Sequence, residues 1–398
     1  MISQGITVLG STGSIGKSTL NVLARHPDRF HVIALSGDSN FSLLARQCDQ
    51  HNARYAVISD PSHTHALQAA LNELGCKATV LAGHDALSDV VRMDETDAVM
   101  AAIVGAAGLE PSLHAVQAGK RLLLANKESM VIAGELFRKA AVEHSTTIIP
   151  VDSEHNALFQ VLPENFETGL ESVGVERLVL TASGGPFLHR KPDSLTQITP
   201  NEACNHPNWD MGRKISVDSA TLINKGLEVI EARWLFNARP DQIEVVVHPQ
   251  SIVHSMVAYC DGSVLAQLGV PDMRTPIAHA LAWPDRIEAG VKRLNISEMS
   301  NLEFYTPDLD SFPGLRLAFE VLEAGGSAPV IFNAANEVAV DAFLNERIGF
   351  LQIPSVVSEA LDSCRPGNID ELEDVLEFDR LARKQSSKII KVINTSNV

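Results

Sequence analysis

Three carboxylates in this sequence sit where hard-metal chemistry could use them. Asp152, Ser153 and Glu154 follow directly on the apolar run "TTIIPV", and Glu228 lies in "NKGLEVIEARWLF" close to Asn224 and Lys225. Acids gathered without a cation repel one another and raise one another's pKa, a cost that a divalent ion removes. Asp152, Glu154 and Glu228 would offer Mg2+ or Mn2+ three oxygen ligands, leaving about three octahedral positions for substrate oxygens and water. No H-E-x-x-H zinc spacing is present. Each cluster also has a plainer reading. Asp152 or Ser153 could cap a helix over "HNALFQVL", with Glu154 in its first turn. "IIPVD" also has the form of the magnesium element of a nucleoside triphosphatase, although Pro150 counts against an interior strand. On a helix over 216–236, Ile223, Leu227, Ile230 and Trp234 make one apolar stripe, and Asn224, Lys225 and Glu228 share another face. A solvated Lys–Glu pair would account for that face too.

Two further stretches carry polar groups on turns. "HPNWDMGRK", 206–214, combines an exposed-looking Trp209 and a Gly212 hinge with His206, Arg213 and Lys214. Its proline and glycine make it a loop, either an ordinary connection or a cover over a ligand. "LVLTASGGPF" ends a strand in Ser183-Gly184-Gly185, a turn whose N–H groups and hydroxyl could bind phosphate.

"VLGSTGSIGKST", residues 8–19, nearly spells two phosphate loops. The triphosphate loop requires a glycine five positions before its Gly-Lys pair, and Ser11 occupies that place. The glycines at 10, 13 and 16 instead suit a dinucleotide turn between the strand "GITVLG" and a helix ending at Pro27. Pyrophosphate would sit on that helix's first N–H groups.

The elements that must position these residues follow from the patterning. Short runs at 30–35, 55–59, 98–104, 121–126 and 146–151 alternate with helical stretches such as "NFSLLARQCDQH" and "PSLHAVQAGK", the signature of a doubly wound parallel sheet. "NKES" (126–129) and "DSEHN" (152–156) follow two of those strands, where ligands of such sheets bind. Further on, strand-like runs flank Asp261-Gly262, a hairpin signal within a second sheet of antiparallel character. From about 310 the pattern is helical. A chain of 398 residues exceeds one core, so two or three domains are expected. The formal charge of −17 argues against nucleic acid as a partner. No apolar run reaches the ~18 residues of a membrane span. Five widely spaced cysteines and no signal pattern at "MISQG" lead us to expect a reducing cytoplasm.

Taken in order, "GSTGSIG", "AAIVGAAGL", "LLLANKES", "PVDSEHNA", "SGGPF", "MGRKISVDSAT", "PDMRTPIAHALAWP" and "NAANE" closely resemble the 1-deoxy-D-xylulose 5-phosphate reductoisomerase family, essentially end to end. The resemblance implies an α/β protein: a Rossmann-like NADPH domain over 1–151, a catalytic and dimerising domain with a mixed sheet over 152–285, a linker over 286–311 and a C-terminal helical bundle over 312–398. It implies a homodimer acting on a sugar phosphate with NADPH and Mg2+ or Mn2+. The metal ligands fall on Asp152, Glu154 and Glu228. These and Lys127 and His206 carry the catalytic roles. Substrate contacts fall on Lys127, Ser153, Glu154, Ser183, His206, Ser219, Asn224, Lys225 and Glu228, with Ser183, Ser219, Asn224 and Lys225 on the phosphate. Nucleotide contacts fall on Thr12, Gly13, Ser14, Ile15, Asp38, Ser39, Asn40, Asn126, Glu128 and Gly212. The sequence departs from the family at "ALSGDSN", where Asp38 stands near the adenosine ribose. An acid there favours NADH, whereas Ser36, Ser39 and Asn40 could hold a 2′-phosphate if Asp38 turns to solvent. NADPH is the expectation. The competing classes are another NAD(P)-dependent sugar-phosphate dehydrogenase, a thiol-dependent aldehyde dehydrogenase using Cys204 beside His206, and a phosphoryl-transfer enzyme using Lys17.

Overall fold

The computed structural model describes residues 3–209, 211–299 and 301–396. Two compact units are present, and neither follows chain order. One comprises the chain up to Ser129, Phe137–Phe159 and Asp272–Arg293; the other comprises Met130–Leu136, Gln160–Pro271 and the chain from Leu294.

The first unit is a parallel sheet of seven strands: β1 (Gln4–Leu9), β2 (Phe30–Gly37), β3 (Tyr55–Ile58), β4 (Thr79–Ala82), β5 (Ala98–Ala101), β6 (Arg121–Leu124) and β7 (Ile148–Pro150). Their spatial order is β4-β3-β2-β1-β5-β6-β7, so chain order reverses beside β1. Such a reversal opens a crevice at the carboxyl ends of the two strands concerned, here β1 and β5. The strands read as near-continuous apolar runs because helices cover both faces. Those helices are α1 (Ser14–Leu23), α2 (Phe41–Gln50), α3 (Thr64–Leu74), α4 (His84–Arg92), α5 (Leu109–Gln117), α6 (Lys127–Glu143) and α7 (Ser153–Val161). Pro150 ends an edge strand, where its missing N–H costs no ladder bond. β4 is absent from the sequence expectation because its two outer residues are exposed, its two inner ones only half-buried, and the run barely patterned.

The second unit carries α8 (Pro200–Ala203), α9 (Arg213–Ala220), α10 (Ile223–Leu235) and a mixed sheet in the order β11-β10-β8-β9. Its strands are β8 (Val175–Ala182), β9 (Ile243–Val247), β10 (Val253–Tyr259) and β11 (Val264–Leu268). β8 and β9 pair in parallel; β10 is antiparallel to β8 and β11. The Asp261-Gly262 hairpin forms as expected, with Asp261 Oδ1 accepting from the Ser263 N–H at 2.9 Å and Gly262 at φ 86°. The chain then returns to the first unit through α11 (Arg274–Ala282). The helical C-terminal region holds α12 (Gly314–Ala324), α13 (Ala328–Leu344), α14 (Gln352–Ser363) and α15 (Leu372–Ser396). α13 is apolar nearly all round because the other helices surround it. No helix among the described residues is long and apolar enough to cross a membrane.

One expected element differs. The helix over 216–236 breaks at Thr221-Leu222, where Leu222 adopts a left-handed φ of 58° and α10 starts afresh at Ile223. A left-handed leucine is uncommon and is held by its surroundings, here in a buried core position.

Candidate active site

The sequence-derived site residues fall into two groups, one in each unit. In the first, the glycine-rich turn after β1 delivers Thr12, Gly13, Ser14 and Ile15 to the start of α1. Gly13 is the cap residue and offers no side chain, and the first turn has no acid, so the leading N–H groups suit an anion. The turn cannot close without Gly16. A Cβ there would lie 2.4 Å from the Gly10 carbonyl oxygen and from Ser11 Cα. Beneath it, Ser11 Oγ donates to Gln47 Oε1 at 2.8 Å, Gln47 Nε2 donates back to the Ser11 carbonyl at 2.9 Å, and the Gly10 N–H donates to Ser36 Oγ at 2.8 Å. All three side chains are buried. Ser36 is therefore part of the floor of the turn, which corrects its expected role on a 2′-phosphate. Ser39 and Asn40 are exposed, and Asn40 Oδ1 caps α2 by accepting from the Leu43 N–H at 3.2 Å. Asp38, also exposed, accepts from Ser59 Oγ at 2.8 Å, so it leans toward the end of β3 and does not swing free in solvent.

At the end of β6, Asn126 caps α6 through Oδ1, which accepts from the Ser129 N–H at 3.1 Å. Its Nδ2 donates to the carbonyls of Ile103 and, at 2.9 Å, Gly105. That amide is thus a brace between two loops. Glu128 follows, buried in the first turn of α6. Lys127, also buried, makes an ion pair with Asp152. Asp152 Oδ1 accepts from the Ser153 N–H at 3.1 Å, and Ser153 Oγ donates to Glu154 Oε2 at 2.6 Å. Helix α7 starts at Ser153 with Glu154 in its first turn, and the side-chain oxygen of Asp152 takes only the adjacent Ser153 N–H among the bonds above. Asn156 pins the turn by donating to the Pro150 carbonyl at 2.8 Å and lying 3.2 Å from His279 Nδ1. Burial pushes the His279 imidazole down to about 4, with Arg286 adding to the effect, so it stays neutral and accepts from the amide.

In the second unit, the break at Leu222 puts Asn224 and Lys225 in the first turn of α10, a helix N-terminus that itself favours anions. Asn224 Nδ2 donates to Glu228 Oε1 at 2.5 Å, and Lys225 makes an ion pair with Glu228 Oε2. The solvated-face reading fails here: Lys225 is 3% and Glu228 1% exposed. The Ser183-Gly184-Gly185 turn has φ of 81° and 66° at its glycines, and a Cβ on Gly185 would lie 2.9 Å from the Ser219 carbonyl oxygen. Ser183 and Ser219 are thereby pressed into one region. His206 Nδ1 accepts from the N–H groups of Asn208 and Trp209 at 3.2 and 3.1 Å, which places the ring proton on Nε2, 2.8 Å from Ser183 Oγ. With the Gly185 N–H also directed at that oxygen at 3.2 Å, Ser183 keeps its hydroxyl hydrogen for a ligand. Trp209 is half-buried rather than exposed, its ring 6.3 Å from that of His254. Gly212 stands in open space as the cap residue of α9. The thiol reading weakens, because Cys204 Sγ faces the Arg213 carbonyl at 3.8 Å while His206 is engaged with Ser183 and the backbone.

Sequence reasoning missed the support behind α9. Asn336, from "NAANE", donates to Asp218 Oδ1 at 2.8 Å, and Lys214 pairs with Asp218 Oδ2 at 2.9 Å. A quoted motif with no assigned role was the available signal.

Sequence models of one family match residues 6–134 (1-deoxy-D-xylulose 5-phosphate reductoisomerase), 148–236 (its C-terminal domain) and 268–385 (DXP reductoisomerase C-terminal domain). The reductoisomerase of Stutzerimonas stutzeri is 58% identical over 378 residues, covering 95% of this chain and 96% of its own. That of Cellvibrio japonicus is 55% identical over 391 residues, covering 97% and 98%. The Zymomonas mobilis reductoisomerase in complex with NADPH superposes with a TM-score of 0.91 at 46% identity, over 98% of this chain and 99% of that one. A reductoisomerase bound to NADPH, fosmidomycin and magnesium gives 0.93 at 44% identity, over 98% and 99%. With identity this high over nearly its whole length, the chain belongs to the 1-deoxy-D-xylulose 5-phosphate reductoisomerase family.

Proposed function

We propose that this chain isomerises and reduces 1-deoxy-D-xylulose 5-phosphate to 2-C-methyl-D-erythritol 4-phosphate, using NADPH and Mg2+ or Mn2+. Beyond family membership, the observation that carries the reading is a carboxylate held by a lysine in each unit: Asp152 by Lys127, and the buried Glu228 by Lys225. An all-oxygen donor set of Asp152, Glu154 and Glu228 fits a hard divalent ion and not zinc. When bound, the metal supplies Lewis acidity to the ketose oxygens as the skeleton rearranges, and the dinucleotide supplies the hydride.

The chain's own residues do the rest. Ser183, Ser219, Asn224 and Lys225 hold the phosphate, giving binding energy remote from the reacting carbons. His206 fixes the direction of the Ser183 hydroxyl. Lys127 donates a hydrogen bond where negative charge grows on a substrate oxygen, and Ser153 and Glu154 flank the same end. Thr12 to Ile15 take the pyrophosphate on α1, while Ser39 and Asn40 meet the adenosine end beside Asp38. Asn126, Glu128 and Gly212 complete the nucleotide contacts. The loop at 206–214, in which Asp210 lies outside the described residues, closes over the substrate and excludes water.

The functional division at 151, 285 and 311, the homodimer and a cytoplasmic location belong to the same reading. Support for a dimer comes from β11, an edge strand with Val264 and Leu265 more than half exposed, a surface that unpaired chains generally avoid. NADPH labelled with deuterium at the transferred position of C4 should pass the label to the product erythritol phosphate. Product without label, or no product with metal present, would refute the assignment.

A further inference from the structure

Two of the predicted phosphate donors, Asn224 and Lys225, are bonded to Glu228, a predicted metal ligand of the same unit. Both oxygens of Glu228 are taken: Oε1 by the Asn224 amide, Oε2 by the Lys225 ammonium. The three residues lie within one turn and a half of α10, whose helix fixes their spacing. Glu228 and Lys225 are almost wholly buried, so water cannot easily replace either partner. A phosphate that recruits Asn224 and Lys225 competes with Glu228 for their N–H groups and weakens the pairing of a buried carboxylate. A divalent ion on Glu228 offsets that loss and releases the same two donors.

We propose that metal binding and phosphate binding are coupled through this exchange: Glu228 passes from Lys225 and Asn224 to the metal, and those two side chains pass to the phosphate. The proposal rests on the metal and phosphate assignments above. Coupling of this kind is reciprocal, so each ligand tightens the other by the same factor, of about 5-fold or more. In the metal-free protein the pair acts as a closed latch that keeps the phosphate subsite weak. A phosphorylated compound unable to chelate the metal should feel this coupling as fully as one that can.

The test uses methyl phosphate, which carries the anion but no chelating hydroxyketone. Its affinity for the full-length protein is measured calorimetrically in chelator and in Mn2+, and Mn2+ affinity is followed by the paramagnetic signal of the free ion with and without methyl phosphate. The expected result is mutual tightening by about 5-fold or more, equal in the two directions. Lys225→Met should bind methyl phosphate weakly and show a factor below about 2, because no ammonium remains to be exchanged. Independent binding in the wild type, or the same factor in Lys225→Met, would overturn the proposal; the latter result would point to the field of the metal alone. Glu228→Gln keeps the two failures apart. If it binds Mn2+ as tightly as the wild type, the metal assignment itself falls. If it loses Mn2+ while the wild type shows no coupling, only the exchange falls.

Discussion

The turn assigned to the nucleotide pyrophosphate and the loop at 206–214 assigned to cover the substrate are built in opposite ways. The turn at 10–16 rests on a buried polar floor of Ser11, Ser36 and Gln47, and backbone already fills the space a Cβ at Gly16 would need. The second is tied at its start by the His206 and Asn208 side chains, and a Cβ added at Gly212 would meet nothing within 4 Å. A dinucleotide pyrophosphate therefore meets a preformed cradle. Under the proposed function, the substrate phosphate would meet a cover that its own binding energy closes, converting remote affinity into exclusion of water at the reacting carbons.

Paired glycine substitutions should break this comparison most sharply. Gly16→Ala forces the turn apart at backbone, so NADPH affinity should fall about 100-fold or more, with about 1–3 kcal/mol of stability lost to overpacking. Gly212→Ala meets nothing and should leave folding unchanged within about 0.5 kcal/mol. Denaturant titration and calorimetry would read both. Similar losses in the two variants would remove the distinction between a rigid and an adjustable loop.

Acid should weaken the first unit through His279. Unfolded, this group takes up a proton near 6.5; folded, burial delays uptake to about 4. The folded state thus binds fewer protons across that window. The contribution is complete above 6.5 and lost as pH falls to about 4, by about 3 kcal/mol in all. His279→Gln still accepts from Asn156 and cannot titrate, so its stability curve should be flatter over that range. Identical slopes for the two proteins would refute this.

A smaller effect is expected at Trp209. Trp209→Ala should raise the KM for substrate while the melting temperature stays nearly constant, since the ring is half-buried on the adjustable side. A loss of several kcal/mol, as for a core aromatic, would make the residue part of the core. Smallest of all is Asp38→Gly. With Ser59 already drawing Asp38 aside, NADPH should win over NADH in the wild type, and the glycine variant should match or modestly widen that margin. Equal use of NADH by the wild type would make Asp38 a ribose ligand.

Features tied to local patterning were legible in the sequence, and features imposed by packing were not. Glycine spacing placed the dinucleotide turn, branched apolar runs placed β1, β2, β3, β5 and β6, and Asp261-Gly262 placed the hairpin. By contrast, Thr221, Leu222 and Ile223 carry no breaker, so the restart of α10 that gives Asn224 and Lys225 a helix N-terminus had no local signal. The kink of α6 at Ala133 is similar: Gly134 lies against the ring of Trp234, about a hundred positions along the chain. Ser36 read as a surface ligand because a buried hydroxyl and an exposed one look alike until their partners are known. Return of 272–293 to the first unit is likewise a property of the fold, not of composition.

The most direct measurement follows nicotinamide absorbance with 1-deoxy-D-xylulose 5-phosphate and the purified protein, with Mg2+ or Mn2+ and then with chelator. If Asp152, Glu154 and Glu228 hold a metal at the reacting oxygens, NADPH should be consumed only when the metal is present, and Glu228→Gln should turn over about 100-fold or more slowly, partly restored by high Mn2+. Full activity in chelator, or no NADPH consumption in metal, would contradict the account.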